Sequence, residues 1–194
     1  KIFEESFNGS LKYFRSLYPA IISIFYTTGM RKSELLNLNL SDWDRENSTL
    51  KVYGSKTGRD RVVPLPEVAW RCLESYLCIR YNLLLKQGKT CDALFVNRNG
   101  DRVNGTQILV QFKRIAKRAG VAKATIHMFR HSCASGLIEE GVPLPQVSNI
   151  LGHSCSVSTF RYLNIADPKR KKAMLKHPIN KILTTLKEVE NEGL

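Results

Sequence analysis

One β-hairpin signature lies in a chain whose other patterns are mostly helical, and it limits the fold more than any other feature. Residues 49–53 and 61–65 are β-rich runs joined by G-S-K-T-G-R-D, whose two glycines favour a turn. Residues 94–96, which precede the turn sequence N-R-N-G, are predicted to add a third strand to this sheet. The sequence therefore predicts a mainly α fold with a small three-stranded antiparallel β-sheet (α+β).

Helical periodicity, with Gly and Pro as punctuation, predicts the elements around this sheet. Residues 11–28 carry apolar side chains at helical spacing; Pro19 is expected to bend or restart that helix, and Gly29 ends it. A second helix follows directly. Further helices are predicted for residues 66–86, for residues 105–119, from Thr125 onward, and from residue 144 to Gly152.

Composition bounds the class of protein. The 194 residues include 30 Lys and Arg against 17 Asp and Glu, a net charge of +13, which predicts a polyanionic partner. With 43% apolar residues the chain supports one folded domain, residues 1–177, followed by a helical tail, residues 178–194. No run of eighteen apolar residues and no signal peptide is found, so no membrane role is expected. The five cysteines form no C-x-x-C pair and are predicted to be reduced thiols in the cytoplasm.

Residues 125–162 gather most of the chemically active side chains. The stretch reads T-I-H-M-F-R-H-S, later L-G-H, and then S-T-F-R-Y-L. His127, Arg130 and His131 are three and four residues apart and would share a helix face, while His153 follows a helix end. Arginine grips phosphate, imidazole moves a proton, and the phenol of Tyr162 is a nucleophile. This set predicts phosphoryl transfer through a phosphotyrosine.

The pattern H-x-[FL]-R-H, then L-G-H, then Tyr nine residues on, resembles the catalytic end of the tyrosine recombinases, the integrase and Xer type. Upstream, T-G-M-R-x-S-E-L-x-x-L resembles that family's first arginine motif and contains Arg31 and Glu34. The family's active-site lysine lies on the hairpin ahead of V-P-L, which puts it at Lys56. The resemblance covers about residues 20 to 165. It implies the DNA breaking-rejoining catalytic-domain fold.

The resemblance also implies a function. The chain would be a site-specific recombinase that cleaves and rejoins DNA through a covalent 3′-phosphotyrosine, without metal, ATP or other cofactor. Arg31 and Arg130 would clamp the non-bridging oxygens of the phosphate, and Lys56 would protonate the departing 5′ oxygen. Tyr162 would attack. The biological task would be integration, excision or dimer resolution.

Three histidines and one carboxylate complete the expected site. His127 is the expected general base or acid for the tyrosine hydroxyl, and His153 would donate one more hydrogen bond to the phosphate. Glu34 and His131 are expected in supporting roles.

Basic side chains outside this set are expected to contact DNA phosphates. Arg59 and Arg61 follow the hairpin tip, while Lys113, Arg114 and Lys117 lie on the predicted helix that precedes Thr125. Such contacts position the protein on DNA without reading bases.

The resemblance implies double-stranded DNA with a specific site as the partner, and a homotetramer on DNA that is a monomer or dimer when free. We expect a cytoplasmic, nucleoid-associated protein of prokaryotic or viral origin. The family usually carries an N-terminal DNA-clamping domain, and we expect this chain to lack it. The tail, residues 178–194, would dock on a neighbouring protomer or fold back on its own domain.

Four alternatives remain open from the residues. Residues 135–163 also scan as a helix-turn-helix, which would make the chain a DNA-binding regulator without catalysis. A type IB topoisomerase would use the same chemistry without strand exchange. A zinc site would use His127, His131, His153 and Cys155. A magnesium site would use Asp42, Asp44 and Glu46, although a solvated turn leading into a strand explains these three acids better.

Overall fold

The computed structural model describes residues 1–2, 12–54, 60–121 and 123–152. These residues form six helices and one small sheet, which confirms the predicted fold class. The helices are α1 (Lys12–Thr28), α2 (Lys32–Asn37), α3 (Glu67–Gln87), α4 (Gly105–Arg118), α5 (Ile126–Glu139) and α6 (Leu144–Leu151). A 3₁₀ turn (Leu40–Asp42) precedes the strands β1 (Trp43–Asp44), β2 (Thr49–Val52) and β3 (Arg61–Pro64).

The sheet is antiparallel with strand order β1-β2-β3, and the predicted hairpin is confirmed. The prediction that residues 94–96 add the third strand was wrong. Residues 94–96 are fully buried but form only isolated bridges, since the Leu94 amide donates to the Leu38 carbonyl and the Val103 amide to the Phe95 carbonyl. These backbone groups therefore bond to the segment after α2 and to residues 102–103 before α4, rather than to the sheet. The third strand is instead Trp43–Asp44, within the run of acids that suggested a turn.

Helix α1 supplies much of the core because its apolar residues recur every three or four positions. Leu17, Ile21, Ile24 and Phe25 are each at most 1% exposed. Pro19 lies inside the helix without ending it. The helix packs against α3 and α5, and the inward side chains of β2 and β3 join the same cluster.

The other helix ends follow the predicted punctuation. Pro66 is the N-cap of α3 and Gly88, with φ +61°, ends it. The Asn104 side chain caps α4 by accepting from the Gln107 amide. Helix α6 ends at Gly152, with φ +65°. Within the described residues, no helix is long and apolar enough to cross a membrane.

Candidate active site

Arg31 lies at the junction of α1 and α2. Gly29 ends α1 with φ +58°, and Arg31 is the extended N-cap of α2. Its backbone N–H donates to Glu34 Oε2 at 2.9 Å, and its Nη1 donates to Glu34 Oε1 at 2.9 Å. One carboxylate therefore fixes both the backbone and the guanidinium of Arg31. The Arg31 side chain remains 26% exposed, so a ligand can reach it.

Glu34 is fully buried and binds two arginines. Besides its bonds to Arg31, its Oε2 accepts from Arg61 Nη2 at 2.9 Å. Burial alone would raise the pKa of the Glu34 carboxyl, but the hydrogen bonds from Arg61 and Arg31 and the charge of Arg61 hold that pKa below its ordinary value. The carboxylate is thus ionised at neutral pH, and the sequence expectation of a supporting role fits this position.

Arg130 connects three segments that are far apart in sequence. Its Nη1 donates to the Gly29 carbonyl at 2.7 Å, and its Nη2 donates to the Leu151 carbonyl at 2.8 Å. The residue is only 8% exposed. These bonds set the start of the Arg31 motif beside the end of α6, where the chain continues from Gly152 to His153. Arg130 therefore holds the Arg31 segment and the end of α6 at a fixed distance from each other.

The two histidines of α5 differ from Arg130 in burial. His127 and His131 are exposed, whereas Arg130 between them is directed inward. Phe129 supports this orientation, because its ring stacks on Phe25 at 6.3 Å between centroids. His127, Arg130 and His131 therefore differ in environment, although they are three and four residues apart on one helix. The two histidines are exposed to solvent and the arginine is buried.

Two glycines allow close approach of the backbone at this place. A Cβ on Gly29 would lie 2.4 Å from Leu151 Cδ2, and a Cβ on Gly152 would lie 2.5 Å from Arg61 Nη1. Both residues also have positive φ, which other residues adopt at a cost. Sequence reasoning identified Gly29 and Gly152 as helix ends, but it did not identify these contacts.

Arg61 occupies a different position from the one that its charge suggested. Its side chain is 7% exposed, it is ion-paired with Glu34, and its Nε donates to the Ile150 carbonyl at 2.8 Å. These bonds give Arg61 a place inside the protein, between Glu34 and the end of α6, and its expected contact with DNA stays a prediction. The available signal was strand alternation, because Arg61 lies two residues before inward-facing Val63.

The basic residues of α4 are exposed. Lys113, Arg114 and Lys117 are on the solvent side, while Ile108, Phe112, Ile115 and Ala116 are buried. Phe112 contacts Phe129 with ring centroids 5.4 Å apart, which sets α4 beside α5.

Lys56, Arg59, His153 and Tyr162 lie outside the described residues, as do Cys155 and the tail, residues 178–194. Sequence adjacency still relates two of them to the site, because His153 is bonded to Gly152 and Lys56 is two residues beyond Gly54.

Two of the three carboxylates considered for a magnesium site accept hydrogen bonds from nearby residues. Asp42 Oδ2 accepts from the Asn39 amide at 2.8 Å, and the Asp44 carboxylate accepts from the amide and the side chain of Asn47 at 3.1 and 2.7 Å. Among the residues that the structure describes, no group of three His, Cys, Asp or Glu could hold a metal ion.

Comparison with known proteins gives consistent matches. The model of the phage integrase family matches residues 6–169. The tyrosine recombinase XerC of Corynebacterium glutamicum is 36% identical over 160 residues, which cover 82% of this chain and 50% of that protein. The tyrosine recombinase XerD of Oceanobacillus iheyensis is 35% identical over 153 residues, covering 78% and 51%. The chain thus spans about half the length of these curated relatives.

Solved structures of recombinases are similar to this chain in fold. The crystal structure of XerA recombinase superimposes with a TM-score of 0.75 at 29% identity, covering 91% of this chain and 61% of that one. The structure of XerH site-specific recombinase bound to its difH substrate, a pre-cleavage complex, gives a TM-score of 0.71 at 27% identity, covering 89% and 49%.

Proposed function

The chain belongs to the phage integrase family, and from this premise we propose that it is the catalytic domain of a site-specific DNA recombinase that cleaves and rejoins strands through a covalent 3′-phosphotyrosine. The observation that supports this most is the meeting of three distant segments around Gly29 and Leu151. Arg130 bonds to both of their carbonyls, Arg31 follows two residues after the first, and His153 two residues after the second. The segments that carry Arg31 and Arg130 therefore meet, which supports the proposal.

The proposed reaction needs positive groups around a phosphate whose oxygens gain charge in the transition state. We assign this to Arg31, with its exposed guanidinium held by Glu34, and to Arg130. Fixed donors are the effective kind, because no energy is spent on reorienting them during reaction.

The chemical steps balance without an external reagent. The Tyr162 oxygen attacks phosphorus, its proton passes to His127, and the bond from phosphorus to the 5′ oxygen breaks as Lys56 supplies a proton to that oxygen. The 3′ phosphate stays on Tyr162 as an ester. A 5′ hydroxyl of another strand reverses the step, which explains how rejoining proceeds without ATP. His153 donates to the phosphate, and His131 has a supporting role.

We propose duplex DNA as the partner and a homotetramer on two DNA sites as the active assembly, in the bacterial or viral-host cytoplasm at the nucleoid. The exposed basic face of α4 fits phosphate contacts. Replacing Lys113 and Lys117 with Ala should lower the slope of log affinity against log salt by about 0.9 for each lost contact. Lys86→Ala, on the separate helix α3, is the control and should leave this slope unchanged.

Covalent trapping tests the proposal. The full product of the gene that encodes this chain is incubated, in chelator, with nicked duplexes of randomised core sequence, from which the cleaved fragment diffuses away. We expect a protein–DNA adduct on a denaturing gel that is lost in Tyr162→Phe and retained in Tyr26→Phe, a control at an exposed tyrosine. The captured DNA then supplies a defined substrate.

Other outcomes select the alternatives. Sequence-selective binding without an adduct would favour the helix-turn-helix regulator, for which α5 and α6 are joined by residues 140–143. That function would give no role to the buried Glu34 carboxylate and its two arginines. Relaxation of supercoiled DNA without strand exchange would favour a type IB topoisomerase. Loss of the adduct in chelator would favour a metal site.

A further inference from the structure

Arg61 begins β3 and reaches two other elements from there. Its Nη2 bonds to Glu34 of α2 at 2.9 Å, and its Nε bonds to the Ile150 carbonyl in α6 at 2.8 Å. These partners are 27 and 89 residues away in sequence. A planar guanidinium holds two such partners in fixed directions, which a lysine ammonium on a flexible stem does not.

The same guanidinium lies against the backbone of Gly152. A Cβ on Gly152 would approach Nη1 to 2.5 Å and Cζ to 3.0 Å, so only glycine fits there without movement. Gly152 is bonded to His153. The position of Arg61 therefore limits where the chain can go as it leaves α6.

Burial of the Arg61 side chain lowers the free energy of unfolding. Its Nη1 is buried and has no hydrogen-bond partner among the described residues. A buried donor left unpaired costs about 1–3 kcal/mol, and an apolar side chain of similar size often serves stability as well as a buried ion pair does. Stability alone is thus a poor explanation for this arginine.

We infer that Arg61 is a positioning residue: it joins Glu34, and through it Arg31, to the end of α6 at Gly152, the residue that precedes His153 in the chain. The connection runs from Arg31 through Glu34 and Arg61 to Ile150 and Gly152, entirely by bonds and contacts of the described residues. This inference rests on the proposed function and deepens it. It also assigns Arg61 a role other than binding DNA.

The test compares Arg61→Lys and Arg61→Met with the wild type, using the full gene product and a nicked duplex captured by the wild type. At saturating DNA the single-turnover cleavage rate should fall about ten- to a hundredfold in both variants, because misplacement by ~1 Å can cost that much. The affinity for DNA and its salt dependence should not change.

Arg80→Met is the matched control. Arg80 is 5% exposed and donates to the carbonyls of Cys91 and Ala93, none of which belongs to the candidate site. It should destabilise the fold without lowering the cleavage rate of the folded protein. Equal rate losses in the Arg80 and Arg61 variants would overturn the inference, because they would reflect general destabilisation.

Two further results would overturn it. A salt slope reduced by about 0.9 in Arg61→Met would mean that Arg61 contacts a phosphate. A wild-type cleavage rate in Arg61→Lys would mean that positive charge is sufficient and that the two-directional bonding is irrelevant.

A readout without DNA separates this inference from the proposed function. In protein labelled with ¹⁵N-histidine, the imidazole signal of His153 should shift in Arg61→Lys but not in Arg80→Met, with His127 as an internal reference. An unshifted His153 signal would overturn the inference even if the wild type cleaves DNA. Failure of the wild type to form any adduct would count against the proposed function alone, since the histidine signals decide the role of Arg61 independently.

Discussion

The core around α1 and α3 and the corner around α5 and α6 are both buried, but different forces hold them. The first consists of a large cluster of aliphatic and aromatic side chains. Among the residues that the structure describes, the second holds a small apolar cluster, Cys133, Ala134, Val147 and Leu151, and is joined to the rest by Arg130, Arg61 and Glu34. Apolar packing is non-directional, whereas these bonds fix orientation. Damage to the core should therefore cost stability alone, whereas damage to the corner should also cost activity.

The largest effect is expected from Arg130→Met. Removing one fixed donor from a transition-state clamp typically costs about 10²–10³ in rate, and this change also frees the carbonyls of Gly29 and Leu151. Single-turnover cleavage per folded molecule should fall by that amount. Leu73→Ala, at a fully buried core position, should instead cost about 2–5 kcal/mol of stability and leave this rate unchanged. Similar rate losses in both variants would abolish the distinction between the regions.

Gly29→Ala should have the next largest effect, a loss in the free energy of unfolding. The left-handed backbone costs about 1–2 kcal/mol for alanine, and the new Cβ, 2.4 Å from Leu151 Cδ2, adds about 1–3 kcal/mol of overpacking. Gly120→Ala is the control, since its φ of +73° is similar but nothing lies within 4 Å. Urea unfolding should show the larger loss for Gly29→Ala. Equal losses would mean that Leu151 moves away from the new Cβ at no cost in free energy.

Glu34→Gln should change the pH dependence of stability. Because the folded pKa of Glu34 lies below the ordinary value of 4.5, its contribution is complete above that value and is lost as pH falls through the folded pKa. The advantage of the wild type over Glu34→Gln in free energy of unfolding should thus be constant near neutrality and shrink below about pH 4.5. Unfolding titrations across pH measure it. A constant difference down to low pH would contradict an ionised, arginine-bound Glu34.

The smallest effect is expected from Glu67→Gln. Glu67 pairs with Arg71 at 2.5 Å, but the side chains are 64% and 67% exposed. Exposed pairs spaced i,i+4 on a helix contribute only about 0.3–0.5 kcal/mol, and this contribution weakens with salt. Thermal unfolding at low and high salt would detect it. A loss as large as that of Glu34→Gln would show that burial does not distinguish the two carboxylates.

Much of the fold followed from local patterns. Helical spacing predicted α1, Pro66 and Gly88 delimited α3, and two β-rich runs around a glycine turn predicted the hairpin. The third strand did not follow, because Trp43 and Asp44 pair with β2 inside a polar run that resembles a turn. Edge pairing of two residues depends on the neighbouring strand more than on their own propensity.

The sequence supplied candidate residues for the site, but it did not predict the hydrogen bonds between them. Motif resemblance identified Arg31, Glu34 and Arg130, but the bond from Arg130 to Gly29 spans 101 residues and no local pattern encodes it. A positive residue near a hairpin tip suggests contact with solvent and phosphate, so the sequence did not predict the ion pair of Arg61 with buried Glu34. Its strand register shows that it faces inward.

The proposed function requires a covalent bond between Tyr162 and a 3′ phosphate, and mass spectrometry of the trapped adduct after protease and nuclease digestion detects that bond. We expect the nucleotide to be attached to the peptide containing Tyr162, through its 3′ phosphate, with a free 5′ hydroxyl on the released strand. Attachment to another residue, or through a 5′ phosphate, would rule out a 3′-phosphotyrosine at Tyr162.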